Sequence, residues 1–201
     1  MTARIQRNFE FVSGVFFDNE LYMNIYDIDV HFNVQAESIE AQNIALDRVK
    51  YLISTLENIV FVYDKDIETI EKLHNADIRV CPLPEEPYDQ IVGIMLLVKI
   101  NAITEGNLVA SDISILSKMS DGVSCLHSIE ENTGPFKLKG WWNDSSPKLS
   151  NGIPKVKGKK VVRLPKTPNN WDDLNLNWET KKESHVISEI VFASFESKTE
   201  K

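Results

Sequence analysis

The chain has 201 residues, 42% of them hydrophobic, with 22 Lys/Arg against 30 Asp/Glu and a formal net charge of −8. That is enough for one domain of ordinary size with an appendage. Two cysteines are too few for a disulfide scaffold, and no secretory apolar region follows the polar start. The longest apolar run, 91–100, is well short of the roughly 20 residues a spanning helix needs, so a soluble, reduced, intracellular protein with no membrane contact is expected.

The charge is uneven. Residues 1–135 carry 9 Lys/Arg and 22 Asp/Glu, 136–166 carry 9 and 1, and 167–201 carry 4 and 7. A solvated acidic domain followed by a basic stretch is the reading, and that stretch is free to meet the acidic face, nucleic acid or another acidic partner.

In chain order, 9–12 and 15–17 read as strand, with Asp18-Asn19-Glu20 as a turn signal. Residues 21–34 alternate, but in two series: Leu21, Met23 and Ile25, then Ile28, Val30, Phe32 and Val34. The change of phase predicts a bulge near Tyr26 and Asp27. Ala45, Leu46, Val49, Leu52, Ile53 and Leu56 then recur at three- and four-residue steps after Ser38, an N-cap, and predict an amphipathic helix. A buried strand at 58–63, a helix at 64–76 capped by Asp66, and a strand at 77–83 ended by prolines follow. The run 88–104 is too continuous for periodicity to separate helix from strand, and its length favours helix. A last strand covers 107–117 after the turn at Glu105-Gly106-Asn107.

The order ββαβαβ(α)β predicts an α+β fold: a two-layer sandwich with a mixed sheet, ferredoxin-like or related, over 1–135. From Gly134-Pro135 onward, prolines, glycines and serines interrupt regular patterning. Residues 136–201 are therefore expected to form a basic, Trp-bearing, largely extended tail that ends in a short apolar segment, 186–195.

Catalytic signals are weak. His31, His74, His127 and His185 stand apart from any second ligand at metal spacing, so no metal is expected. Cys81 is followed by Glu85 and Glu86, the wrong electrostatic setting for a thiolate, and reads as inert. Neither a Walker loop nor G-x-G-x-x-G occurs, and no cofactor is expected. Glu85, Glu86 and Tyr88 form a loop at a strand end, where a small-ligand or nucleotide site would lie.

The tail carries the better signal. Trp141, Trp142, Trp171, Leu174, Leu176 and Trp178 are apolar anchors in polar surroundings, which suits docking into a partner's groove. The alternative is that they pack on the chain's own domain. The stretch from Lys137 to Lys166 suits weak nucleic-acid contact, because it lacks the aromatic interleaving of a single-strand groove.

Several stretches resemble uncharacterised proteins of T4-like marine bacteriophages, of the cyanophage and pelagiphage type. They are Gly14-Val15-Phe16-Phe17, the helical stretch 42–50, the loop 83–89, the turn 102–106 and the Trp-rich tail. The resemblance implies a viral accessory or virion protein acting in a bacterial host, and the leading reading is a non-enzymatic accessory protein in the host cytoplasm. Its tail would recruit a protein partner, such as part of the replication or transcription apparatus. A virion structural protein, whose tail threads onto a neighbouring subunit in an oligomer, is the second reading. A small-ligand enzyme with its site near Glu85 to Tyr88 is the third.

Overall fold

The computed structural model describes residues 3–119, 122–130, 133–150 and 168–178. The basic residues 151–166 and the apolar segment 186–195 lie outside them. Among the described residues nine strands and α-helices follow in order, before three short 3-10 turns in the tail: β1 (Arg4–Phe17), β2 (Glu20–Val34), α1 (Ile39–Leu56), β3 (Ile59–Tyr63), α2 (Ile67–Asn75), β4 (Arg79–Leu83), α3 (Asp89–Thr104), β5 (Leu108–Ser117) and β6 (Ser124–Ser128). The class is α+β. Six strands form one mixed sheet in the order β4-β3-β1-β2-β5-β6, with β1–β3 and β3–β4 parallel and the other pairs antiparallel.

The β1–β2 hairpin turns through Asp18 and Asn19, both with positive φ (52° and 62°). Aspartate and asparagine tolerate that region, and the paired positive values match the right-handed twist of the flanking strands. Pairing then runs unbroken from Phe17↔Glu20 to Arg4↔Asn33, so the expected bulge at Tyr26–Asp27 is absent. The change of phase is a change of face. Tyr26, Ile28, Val30 and Phe32 are buried beneath the helices, whereas Leu21 and Met23 lie on the opposite face and stay exposed. The one register shift falls between His31 and Phe32, opposite β5, where Ser111 is the extra residue. Asn101 holds the chain there: its amide donates to the Ala110 carbonyl (3.1 Å) and accepts from the Ala110 N–H (2.9 Å).

The ambiguous apolar run is helix α3. It is buried along most of its length because α1, β5, β6 and the tail all pack on it. Gly93 permits the approach to the sheet, since a Cβ there would lie 2.7 Å from the His127 ring and 2.9 Å from Ile115. α1 and α3 cover one face over Phe11, Tyr26, Phe61 and Ile113. α2 sits on the other face, where Ile70 and Leu73 meet Val60, Val62 and Phe16. The two-layer arrangement therefore describes the β2-β5-β6 half of the sheet, and α2 adds a helix behind β3 and β4. Strand β6 was not foreseen. Among the described residues, no helix is long and apolar enough to cross a membrane, and no group of three or more His, Cys, Asp or Glu is placed to hold a metal.

Candidate functional site

Two features stand out: a tail strapped to the α1–α3 layer, and an open cleft at the hairpin end of the sheet. The strap is built around two buried cations on the inward faces of the helices.

Lys99 on α3 is fully buried. Its ammonium donates to the carbonyls of Trp141 (3.0 Å), Asp144 (2.6 Å) and Ser146 (2.8 Å), matching its three N–H groups to three acceptors. Burial pushes its pKa down to about 8, against the opposing influence of Asp144 and Cys81. Arg48 on α1 donates from Nε to the Leu176 carbonyl and from Nη1 to the Ile103 carbonyl, both at 2.9 Å. Its guanidinium lies 3.7 Å from the Trp178 ring centroid and 4.7 Å from that of Trp171, and it pairs with Glu105 at 3.3 Å. Burial lowers its pKa while Glu105 opposes the shift.

The aromatic anchors complete the strap. The Trp141 indole donates to the Pro82 carbonyl (3.1 Å), Trp142 to those of Phe136 (3.1 Å) and Leu138 (3.0 Å), and Trp171 to that of Ser145 (2.5 Å). The Trp178 indole donates to Glu105. Trp141, Trp142 and Trp171 are buried in the main core cluster, and Leu174, Leu176 and Trp178 pack against it half-buried. The six expected partner-docking residues are thus gathered on the chain's own domain. Lys99 and Arg48 were missed, although the spacing 96–99–103 and 45–48–52 places both on apolar helix faces.

The cleft opens on the opposite end of α3 and holds about 870 Å3. β2 pairs with β1 to the tip of the hairpin, but with β5 only as far as Tyr26↔Ser117. The last cross-link is the Lys118 N–H to the Ile25 carbonyl, 2.9 Å. Peptide groups alternate sides along a strand, so Met23 and Leu21 also aim their N–H and C=O outward. Among the described residues, none pairs with them. Tyr88, Asp89 and Gln90 at the start of α3 roof the cleft, and Met119 and Val123 stand across from β2. Leu21, Tyr22, Met23, Tyr88, Met119 and Val123 are all at least 44% exposed, a concentration of apolar side chains around one opening.

The cleft has a polar floor. Tyr26 donates its hydroxyl to Asp89 Oδ1 (3.1 Å). Burial raises the phenol's pKa, Asp89 raises it further, and the Asn24 side chain acts on the same hydroxyl in the lowering direction. Asn24 and Asp89 both line the cleft. Asn24 is only 7% exposed, and its Oδ1 has no hydrogen-bond partner. The loop expected to form a ligand site is divided. Tyr88 lines this cleft, Glu86 lines a separate hollow of about 160 Å3 with Asp18 and Asp66, and Glu85 lines neither.

No family model and no curated protein matches the chain. Among solved structures it is similar to an uncharacterised protein, WS1659, from Wolinella succinogenes, at 12% identity and a TM-score of 0.45, over 65% of this chain and 99% of that one. Two catalytic-residue mutants of Plasmodium vivax 6-pyruvoyltetrahydropterin synthase are similar at 9% and 11% identity, with TM-scores of 0.42 and 0.43, over 64% of this chain and 99% of theirs. At these values the likenesses assign neither chemistry nor ligand.

Proposed function

We propose that the protein is a non-catalytic adaptor that captures an extended peptide segment of a protein partner by strand addition to β2. The observation that carries this reading is the outward main chain of Leu21 and Met23, which pairs with none of the described residues and lies in a cleft lined largely by apolar side chains. An unpaired edge is a template for another strand, and native proteins ordinarily cover or charge it. Here the edge instead carries three exposed apolar side chains, Leu21, Tyr22 and Met23. Main-chain bonds to Leu21 and Met23 would supply affinity, and contacts on alternate side chains would supply choice of partner. The acidic balance of residues 1–135 favours a segment with basic residues near it. The reading agrees with the accessory role that the resemblance to T4-like phage proteins implies, but moves recruitment from the tail to the cleft.

The test uses a displayed library of random nine-residue peptides selected on the full-length chain, followed by fluorescence anisotropy of the selected sequences. Enriched peptides should alternate apolar residues. Met23→Pro removes one outward donor without touching a bond to β1, and should weaken binding at least about tenfold while Met23→Ala retains it. Failure to enrich any sequence, or equal binding by Met23→Pro, would refute strand addition at this edge.

A further inference from the structure

We infer that the side chain read by the cleft on its helix-facing side is a cation, the lysine or arginine of the docked segment. This deepens the strand-addition reading and rests on it. A strand laid along β2 sends alternate side chains to opposite faces. Those on the helix face would pass Tyr22 and Asn24 and meet the start of α3.

The surroundings there suit a positive charge in three ways. First, the wall is aromatic: Phe17 and Tyr88 lie with ring centroids 4.9 Å apart, and Tyr22 lines the same side. Aromatic faces attract ammonium and guanidinium groups through the ring quadrupole. Second, the floor presents acceptors. Asn24 Oδ1 is buried without a donor, a costly condition that a bound N–H would relieve. Asp89, which accepts from the Tyr26 hydroxyl at 3.1 Å, brings a carboxylate to the floor, and Tyr22 in the wall donates to the Glu20 carboxylate at 2.7 Å. Third, among the described residues that line the cleft there is no lysine, arginine or histidine.

The start of α3 argues the other way, because helix N-termini favour anions. Here Asp89 already places a negative charge in the first turn, and the N–H groups of Ile91 and Val92 are spent on the Tyr88 carbonyl (2.9 and 3.0 Å). The balance lies with the cation.

Peptides selected on the full-length protein supply the probe. A basic residue should be enriched at one position of the alternating pattern. In the best sequence, replacing that residue by norleucine should weaken binding about tenfold, and replacing it by glutamate should weaken it more. Asn24→Leu and Asp89→Asn, checked for folding by circular dichroism, should reduce the basic peptide's advantage over the norleucine peptide to below about threefold. Selected peptides without a basic position, or equal binding by lysine and norleucine versions, overturn the inference while strand addition stands. Tighter binding of the glutamate version overturns it in favour of the helix N-terminus. Selection that yields no binding peptide removes strand addition and this inference together.

Discussion

At the scale of single residues, Lys99 shows what a buried charge demands. An ammonium taken out of water is costly unless each N–H finds an acceptor. Three carbonyls of the segment 141–146 supply this, so the cation ties down a stretch whose own regular structure is one short 3-10 turn, Trp141–Asn143. Lys99→Met should leave those carbonyls without their donor, at roughly 1–3 kcal/mol for each one that water does not reach. Its pKa also makes a signed prediction. Held at about 8 when folded, against an ordinary 10.5, the group releases its proton earlier in the folded chain than in the unfolded one. Between these values the unfolded chain binds more protons, so this residue's contribution to stability rises with pH. Urea melts at pH 7, 9 and 10 should show wild type gaining on Lys99→Met by at most roughly 1.4 kcal/mol per pH unit. A constant or shrinking difference would contradict the buried charge.

The same scale explains what the sequence concealed. Lys99 reads as an interruption of an apolar run, and Arg48 as one polar residue in an amphipathic helix. Their spacing places them inward, but spacing says nothing about acceptors contributed from more than 40 residues away in the case of Lys99, or from Leu176 in the case of Arg48. The Cys81 thiol is buried, and burial raises its pKa against the opposing influence of Lys99.

At the scale of elements, periodicity recovered α1, α2, β3, β4 and β5 close to their observed bounds. Caps did the same, since Ser38 accepts from the Ala41 N–H and Asp66 from the Thr69 N–H, both at 3.1 Å. The misreading of β2 is instructive. One regular strand shows two hydrophobic phases because its halves face different surroundings: a covered sheet face below Tyr26 and an open edge at the hairpin end. The supposed bulge was the sequence trace of the cleft. Strand β6 was hidden for a related reason. Its largest apolar residue, Leu126, is 66% exposed, while His127 turns inward, inverting the usual pattern.

Gly93 carries the element-scale prediction. It lets α3 sit close against β5 and β6, and Gly93→Ala drives a methyl group into Ile115 and His127. Although alanine favours helix, overpacking of this kind costs about 1–3 kcal/mol, so the variant should melt at lower denaturant concentration. An unchanged or raised midpoint would show that the approach has slack.

At the scale of the whole molecule, the division at Gly134-Pro135 is one of composition, whereas packing continues across it. Phe136, Trp141, Trp142 and Trp171 share a core cluster with the domain. This was not legible because the contacts have no period. The indoles of Trp141, Trp142 and Trp171 and two cations meet carbonyls scattered over β4, α3 and the tail, and the Trp142 ring fits only because Gly140 has no side chain to meet it. With these rings committed to the chain's own core, six of the exposed large apolar side chains among the described residues gather at the other end of α3, beside the edge of β2.

Hydrogen–deuterium exchange read at single amides, with and without a selected peptide, tests the central claim most directly. Strand addition to β2 predicts new protection at Leu21 and Met23, whose N–H groups point outward. Little change is expected at Tyr22 and Asn24, which already face β1. Protection on the tail around Trp171 and Trp178, or none along β2, would contradict it.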